Sequence, residues 1–511
     1  MSGLTWLRPR RGDVDALLVE LGFNVAQAAI PVFLLIELGY PSELALSHIM
    51  PGSALAFALG ALWLAAMGIR LGRREQRHDV TPHVYGSNVP AMVAFTLSVM
   101  VPTFERTHDP VAAWAMGAAA AAWTGILKML AAPAARWLKR LIPKSAAMTV
   151  FAAAMYTYLG MVLLTRLLDS PLVGLAALAL VFVTLYADIP ITRYRIPGFL
   201  VVWLVPLTLA IATGYSRPRF PGLHFTSPGI LSVAPLFCLP AAVSDFSIIV
   251  PLALYQIVQD IAAVEAGDTT GDHFDVRGVL VGDGLATLIG GLAGSPITNV
   301  VYSLQPPFKK LGASTAYQIW TPFLYLGLTM AGLGCAGGQV FPWPILAAIT
   351  AWVAVEVGMT AFRVVPVRHH PALLFGLLLP AGYLLASNLN SALLVLHLNP
   401  STPTVNAALE HAIYWQAVLG LSYGFLLTVL VAAAVIVQIL DGQLGRATAW
   451  ALGGAVLSWF GLMHASRVGW AAAPAYAIGW GVAAALIYSA RWYGWRPPRG
   501  CLHDQKDPSS Q

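Results

Sequence analysis

Two short stretches of this sequence interrupt apolar runs in the same manner. Residues 81–90 read TPHVYGSNVP, and residues 294–302 read GSPITNVVY. Each has a Gly-Ser step followed by polar residues and proline, at a position that hydropathy assigns to the middle of a membrane. Because non-helical backbone at that depth is tolerated only where it is buried in protein or lines a cavity, both stretches predict broken segments followed by half-helices. Suitable helix caps are Ser87 or Asn88 in the first stretch, and Ser295 ahead of Pro296 in the second.

The composition around these stretches is typical of a polytopic membrane protein. Of the 511 residues, 58% are hydrophobic and only 10% are charged, and the mean hydropathy is +0.71. Soluble domains are about a quarter charged, so a water-soluble globular enzyme is excluded. Apolar runs of roughly 18 to 25 residues recur along the chain and predict about sixteen segments.

The charge distribution predicts how the chain is oriented. The 29 Lys and Arg residues exceed the 23 Asp and Glu residues, which gives a formal net charge of +6. In a membrane protein such an excess indicates which loops stay in the cytoplasm. Most basic residues fall on one side when the amino terminus is placed inside. We therefore predict a multi-pass protein of the cytoplasmic membrane with both termini in the cytoplasm, in contact with the lipid bilayer and without a nucleic-acid partner.

The two broken stretches fall in corresponding segments. They belong to the third and the tenth apolar segment, and an odd offset of seven gives the two copies opposite topology. This is the pattern of inverted-repeat secondary transporters, in which half-helices meet at a site near the midplane. We expect the stretches at Gly86–Pro90 and Gly294–Asn299 to face each other across a central cavity. The alternative is two Gly/Pro kinks in ordinary packed helices.

A set of short motifs carries a family resemblance. The chain has EAGD at 265–268, RGVL at 277–280, DGLAT at 283–287 and GSPIT at 294–298. In this order and spacing they resemble the xanthine/uracil permease group of the nucleobase/ascorbate transporter family. The YGSN motif at 85–88 is similar to the element at the first half-helix of an uncharacterised bacterial branch of that group.

The resemblance implies an all-α fold of seven plus seven segments in inverted repeats, with half-helices in segments 3 and 10. The implied core domain comprises residues 14–131 and 239–335, and the implied gate domain comprises residues 144–214 and 341–440. Two extra spans would follow at residues 447–491. The implied function is secondary active transport of a small polar heterocycle, such as a purine or pyrimidine, across the bacterial inner membrane. The transport would be coupled to a proton or another ion through an elevator-type motion of core against gate.

Polar residues within the spans supply the candidate site, because an ionisable group in a bilayer is a functional candidate by default. The family's segment-eight carboxylate corresponds to Gln256 here, and Asp260, one turn later, corresponds to a second carboxylate position. The candidate substrate-binding residues are Gln256, Asp260, Ser87, Asn88, Ser295, Thr298, Asn299, Tyr302 and Asn24. The candidate coupling residues are Asp260, Glu20 and Asp283.

Several of these assignments leave an alternative open. Asp260 could instead be a loop-proximal residue in a surface salt bridge, and Glu20 could face the lipid headgroups. For Asp283, a structural role at the neighbouring half-helix is favoured over contact with substrate. Lys128 is the lone base within a span, and the sequence leaves its acidic partner open.

Two other classes of function compete with a nucleobase permease. An anion carrier on the same fold would use the partial positive charge of the half-helix amino termini, and the loss of the segment-eight carboxylate to Gln256 favours it. An enzyme would need a motif such as HExxH, an Asp-rich metal pair or Gly-x-Ser-x-Gly in a span, and these are absent. We therefore expect no enzymatic activity, no cofactor and no metal.

Small residues in the gate segments predict a homodimer that forms through the gate. Small side chains let helices approach closely where lipid offers no hydrophobic driving force. The alternative is that they pack inside one protomer. The residues concerned are Ala152, Ala153, Ala154, Ala347, Ala348 and Ala351.

Overall fold

The computed structural model describes residues 8–37, 41, 44–88, 91–92, 95–187, 189, 198–216, 233–332, 342–396, 398–400 and 402–492. Both chain termini lie outside the described residues, so their predicted cytoplasmic location stays a prediction. The described chain is mostly helical. The α-helices up to residue 240 are α1 (Arg11–Glu37), α2 (Met50–Glu75), α3 (Val101–Thr107), α4 (Pro110–Ala131), α5 (Ala135–Leu141), α6 (Lys144–Met155), α7 (Val162–Leu167), α8 (Pro171–Val181), α9 (Gly198–Ala212) and α10 (Val233–Cys238).

The described chain after residue 240 is also mostly helical. The described residues also contain two short strands, one in each half of the chain. The strands are β1 (Val84–Ser87) and β2 (Asn299–Tyr302). The later helices are α11 (Phe246–Asp268), α12 (Val276–Leu292), α13 (Gln305–Lys310), α14 (Tyr317–Met330), α15 (Trp343–Val364), α16 (His370–Leu378), α17 (Ala381–Val395), α18 (Pro403–Ile413), α19 (Trp415–Ser422), α20 (Phe425–Leu440), α21 (Leu444–Trp459) and α22 (Pro474–Ser489).

Helix length and composition are those of a multi-pass membrane protein. Within the described residues, five helical stretches are long and apolar enough to cross a bilayer, and a sixth forms if α19 and α20, bent by 80°, count as one span. The sequence predicted about sixteen segments. Other described segments form shorter helices, such as the 14 residues of α14, whose interior contains Pro322. Residues 447–491, where two extra spans were expected, contain most of α21 and all of α22, with 16 residues in each helix, and their crossing of the membrane stays a prediction.

The two broken stretches predicted from the sequence form an antiparallel pair. Val84 faces Tyr302 and Ser87 faces Asn299 in the register of β1 with β2. All eight strand residues are buried. Buried extended backbone has no water to bind. Pairing of the strands therefore satisfies the N–H and C=O groups that a helix would satisfy internally. The two stretches were expected to face each other across a cavity, but they pair directly as strands instead of starting two helices.

The packing of the elements around this pair shows an inverted repeat. Helices α1 and α2 contact β1 and pack on α14, and in the same way α11 and α12 contact β2 and pack on α4. Helix α2 also packs on α12, its counterpart in the other repeat. In each repeat, the strand thus contacts both of the first two helices. The predicted fold class, a helical membrane protein with inverted repeats and broken third and tenth segments, is confirmed.

The helices that follow the two strands differ in length. After β1, residues 95–107 are helical and end with α3. After β2, helix α13 has only six residues, which is about 9 Å at the rise of an α-helix. A helix therefore follows the second break as well, but it is shorter than the half-length helix that was expected. Leu311 and Gly312 follow at once and form a turn, since Gly312 has a φ of 77°.

The chain divides into two compact units. The first comprises Met1–Lys139 with Ala154–Gly358 and contains both strands; the second comprises Arg140–Ala153 with Met359–Gln511. In the second unit, His369 contacts the Ser145 hydroxyl at 2.8 Å and the Asp441 carboxylate at 2.9 Å, which ties three elements together. The core and gate boundaries expected from the sequence stay predictions.

Five of the six alanines expected at a dimer contact are buried, and the sixth, Ala351, is half-buried. Ala347 and Ala348 belong to a buried apolar cluster with Val173 and Ile345. Ala152, Ala153 and Ala154 are likewise buried. These side chains therefore offer little surface to a second copy, and the homodimer stays a prediction.

Helices α4 and α12 cross with their backbones in contact, and this crossing gives a test of the packing. A Cβ atom at Gly125 would lie 2.5 Å from the carbonyl oxygen of Gly284. We expect Gly125→Ala to lower the free energy of unfolding by about 1 to 3 kcal/mol, because the backbones must separate. The matched control is Gly327→Ala on α14, where an added Cβ has no neighbour within 4 Å. Thermal unfolding in detergent would measure both, and equal melting temperatures would contradict the close crossing.

Candidate functional site

Helix α1 holds strand β1 through two polar side chains. The Tyr85 N–H donates to Glu20 Oε1 at 3.1 Å, and Asn24 Nδ2 donates to the Tyr85 carbonyl at 3.1 Å. The Ser87 N–H completes the contact by donating to Asn24 Oδ1 at 3.4 Å. Both α1 side chains are fully buried, so neither faces headgroups. Glu20 and Asn24 thus fix the backbone of β1, which positions the residues that follow it.

Helix α11 holds strand β2 in the equivalent way. The Val301 N–H donates to Asp260 Oδ1 at 3.0 Å, and Val301 faces Tyr85 in the strand register. Glu20 and Asp260 therefore occupy matching places in the two repeats. Asp260 is completely buried, which excludes the alternative of a surface salt bridge. An anionic oxygen that accepts a backbone N–H gains a charge-assisted hydrogen bond.

A buried charge cluster lies beside the strand pair. Lys128 on α4 forms an ion pair with Asp283 on α12, and its Nζ lies 3.6 Å from Asp260 Oδ2. Lys128 Nζ also donates to the Asn299 carbonyl at 2.9 Å. The Tyr85 hydroxyl donates to Asp283 Oδ1 at 2.7 Å. This cluster holds two carboxylates against one ammonium, so one negative charge remains for a proton or another cation to neutralise.

Several buried amides near this cluster have no hydrogen-bond partner. Within the described part of the chain, neither side-chain polar atom of Gln256 or Asn299 is paired. Thr298 Oγ1 and Gln259 Nε2 are unpaired as well. Buried polar atoms are almost always satisfied, and each one left unsatisfied costs about 1 to 3 kcal/mol. A concentration of such atoms indicates a place where a ligand supplies the missing partners.

Asn88 connects the unpaired amides to the strand pair. Its Nδ2 donates to Gln259 Oε1 at 3.2 Å, and its N–H donates to the Thr298 carbonyl at 2.7 Å. Its Oδ1 accepts the Ala91 N–H at 3.1 Å. Asn88, rather than Ser87, is therefore the side chain that caps the first half-helix. The end of β1, the start of β2 and the middle of α11 converge at this residue.

Three candidate residues use their hydrogen-bonding capacity inside the protein. The Tyr302 hydroxyl lies 2.5 Å from the Ser87 carbonyl and 2.8 Å from Gln27 Oε1. Asn24 is occupied by β1, as described above. Ser295 Oγ accepts the Ile297 N–H at 3.1 Å within its own turn.

The expectation that Ser295 caps a helix is wrong. The next helix, α13, begins at Gln305, and its N-cap residue Leu304 has no side-chain cap. The physical reason is the strand pair, because residues 299–302 satisfy their backbone against β1 instead of starting a helix. Ser295 thus shapes the turn that leads into β2.

A second charge cluster anchors the loops next to the strands. Asp272 is fully buried and accepts from Arg77 at 2.5 Å, from Lys309 at 2.8 Å and from Gln305 at 3.0 Å. Partial burial tends to raise the pKa of nearby Asp79, but Lys309 and Arg77 outweigh it and lower that pKa below its ordinary value. The cluster joins the loop before β1 to the helix after β2, which fixes both strands from the same side.

Sequence reasoning missed two residues of the site and left one open. Gln259 was overlooked although an amide inside an apolar span, next to Asp260, was a visible signal. Tyr85 was seen only as part of a motif, and its hydroxyl contact with Asp283 had no sequence signal. The acidic partners of Lys128 are Asp283 and, at 3.6 Å, Asp260. Among the described residues, no group of three or more His, Cys, Asp or Glu side chains could hold a metal ion.

The chain was compared with known proteins. No protein-family model matches it, and no curated protein matches it. It is similar to the transmembrane domain of the bicarbonate transporter BicA from a cyanobacterium, with 14% identity, a TM-score of 0.47, and coverage of 68% of this chain and 88% of that chain. The nucleobase/ascorbate family expected from the sequence is not confirmed.

Two further solved structures carry the name SLC26A9 in their titles. The structure titled as the overall structure of SLC26A9 has 14% identity and a TM-score of 0.47, with 94% of this chain and 65% of that chain covered. The murine Solute Carrier 26 family member A9, titled an anion transporter in the inward-facing state, has 13% identity, a TM-score of 0.44, and coverage of 72% and 64%. This chain thus spans about two thirds of that protein's length.

Proposed function

We propose that this protein is a secondary active transporter that moves a small polar solute across the membrane. The observation that carries the proposal is the set of unpaired amides on Gln256 and Asn299, buried where two inverted repeats meet. Inverted repeats with strands and half-helices at the midplane are how such transporters build a site that opens to one side at a time. The solute would supply the partners that these amides lack.

The chemistry of the unpaired atoms favours a neutral solute with both donors and acceptors. Gln256 and Asn299 each present an N–H₂ donor and a carbonyl acceptor. A nucleobase-like heterocycle carries alternating donors and acceptors at its edge and can pair with both kinds of atom. An anion without a hydroxyl group, such as chloride, only accepts, so it would leave the two carbonyl oxygens unpaired. Lys128, the buried cation of this region, is already bound to Asp283.

Proton coupling is proposed to run through Asp260. The surplus negative charge of the Lys128 cluster lies on its two carboxylates, and Asp260 is the one held less tightly by the ammonium. Asp260 is also one turn from Gln256 on α11, so protonation of its carboxylate changes the charge next to a solute bound at Gln256. We propose that a proton on Asp260 accompanies the solute during an elevator-type motion of core against gate.

A small anion is the second candidate, since the titles of two compared structures name a bicarbonate transporter and an anion transporter. The observation that favours it is the half-helix that begins after Asn88, because the helix dipole at an amino terminus attracts negative charge. The two candidates differ in what they need from Gln256. A heterocycle needs both of its polar atoms, and an anion without a hydroxyl group needs only the N–H₂ group.

A ligand screen on the purified protein tests the proposal. Nucleobases, ureides, bicarbonate and other small anions would be compared by thermal shift, since a ligand that binds only the native state raises its stability by about 2.7 kcal/mol at a concentration of 100 Kd. We expect a neutral heterocycle to raise the melting temperature. Stabilisation by anions alone would support the second candidate.

The matched variants are Gln256→Ala and Gln416→Ala. Gln416 is exposed on α19, outside the strand-bearing unit. We expect Gln256→Ala to weaken binding of the stabilising ligand by about 1 to 3 kcal/mol, or roughly 5-fold to 150-fold, because a buried partner is lost. Gln416→Ala should bind as the unchanged protein does. Equal affinity in all three proteins would place the site elsewhere.

A further inference from the structure

The ammonium of Lys128 is surrounded by the kinds of oxygen that bind metal cations. Its neighbours are Asp283 Oδ2, the Asn299 carbonyl oxygen at 2.9 Å and Asp260 Oδ2 at 3.6 Å. Carboxylate and carbonyl oxygens are the ligands that hard cations prefer. All the residues that supply these oxygens are buried, so water does not complete the shell from outside.

The three oxygens come from three different elements. Asp260 lies on α11, Asp283 lies on α12, and Asn299 is the first residue of β2. A cation at this point therefore joins the strand to two helices of its own repeat. The distance of 3.6 Å to Asp260 Oδ2 is an ion-pair contact rather than a hydrogen bond, so one oxygen of the shell still lacks a close partner.

Lys128 belongs to the other repeat, so the cation in this oxygen shell is covalently attached to a different part of the chain. The side chain reaches in from α4, which packs along both α11 and α12. A free ion in this shell could leave with a transported solute, whereas an ammonium on a covalent stem cannot. The charge that holds β2 in place is therefore permanent.

We propose that Lys128 is a tethered cation that fills a monovalent-cation site, so that this protein neither binds nor requires sodium or potassium there. For transport, which rests on the proposed function, this leaves the proton on Asp260 as the exchangeable cation. Removal of the ammonium and its stem opens the shell to a free monovalent cation.

The test compares two variants that differ in the space they leave. Lys128→Ala removes the charge and leaves room for an ion among the oxygens, whereas Lys128→Met removes the charge and fills the same volume with an apolar chain. Thermal unfolding of each purified protein would be followed in NaCl, KCl, LiCl and choline chloride at one ionic strength. No transported solute is present, so the outcome of this test is independent of the ligand screen. Either experiment can fail while the other succeeds.

The expected result is specific to one variant. The unchanged protein should melt at the same temperature in sodium and in choline. Lys128→Ala should show a saturable rise of about 2 °C or more with a small alkali cation. Lys128→Met should show none. The proposal is overturned if sodium stabilises the unchanged protein relative to choline, or if Lys128→Ala responds to no alkali cation.

A second variant keeps the test open if Lys128→Ala does not fold. Lys128→Ala/Asp283→Asn retains one carboxylate for one cation, so its buried charge is less unbalanced. It should also melt at a higher temperature in an alkali chloride than in choline chloride. Equal melting temperatures in both salts would overturn the proposal.

Discussion

Replacing Lys128 with methionine should lower the free energy of unfolding by about 3 to 5 kcal/mol, which is the usual cost of leaving a buried charge without its partner. The ammonium is the counter-charge of Asp283 and the neighbour of Asp260, and all three side chains are buried. The variant leaves two carboxylates facing each other. Its melting temperature in detergent would give the effect.

Two further variants show whether the effect comes from this charge cluster. Lys139→Met removes a base whose side chain is 30% exposed and paired with Glu265 and Asp268. Partly exposed pairs are worth about 0 to 1 kcal/mol, so this control should melt close to the unchanged protein. Lys128→Met/Asp283→Asn should recover part of the loss, because one carboxylate is neutralised. A double variant less stable than Lys128→Met would contradict the assigned pairing.

Asp260→Asn should abolish the pH dependence of transport and lower its rate by about tenfold or more, while the protein stays folded. An asparagine can still accept the Val301 N–H, so β2 keeps its position. It cannot carry the exchangeable proton, and hydrogen bonds to charged groups are worth about 1.5 to 3 kcal/mol. Uptake into proteoliposomes at a series of pH values would measure both effects.

The controls for this prediction are Asp245→Asn and Glu20→Gln. Asp245 precedes the same helix and is only half-buried, so Asp245→Asn should leave the pH profile unchanged. Glu20 occupies the matching place in the other repeat and tests whether the two carboxylates share the task. If Asp260→Asn keeps its pH dependence and Glu20→Gln loses it, the coupling residue is Glu20.

The sequence predicted where the fold breaks but not what the broken stretches do. Gly-Ser steps with polar neighbours inside apolar runs mark backbone that leaves the helix, and both stretches were found on that signal. Pairing of β1 with β2 depends on residues more than 200 positions apart and had no local signal. The short α13 follows from that pairing, because the strand takes residues that the half-helix was expected to use.

The sequence predicted several residues of the candidate site but not their hydrogen-bond partners. The family resemblance pointed to Gln256 and Asp260, and the second broken stretch contained Asn299. The cost of an ionisable group in a membrane span was a further reason to choose Asp260. The sequence could not say which of them remain unpaired, since that depends on contacts between distant helices. Tyr302 and Asn24 turned out to hold the strands, and Lys128 acquired its partner only when α4 and α12 were brought together.

The most direct test of a solute site at the strand pair is counterflow exchange in proteoliposomes. Vesicles would be preloaded with the unlabelled compound that stabilises the protein most, and uptake of the labelled compound would be followed without a pH gradient. We predict transient accumulation with the unchanged protein, and a Gln256→Ala protein that needs roughly 5-fold to 150-fold more substrate for the same rate. Accumulation no greater than in empty vesicles, or identical exchange by the Gln256→Ala protein, would contradict the account.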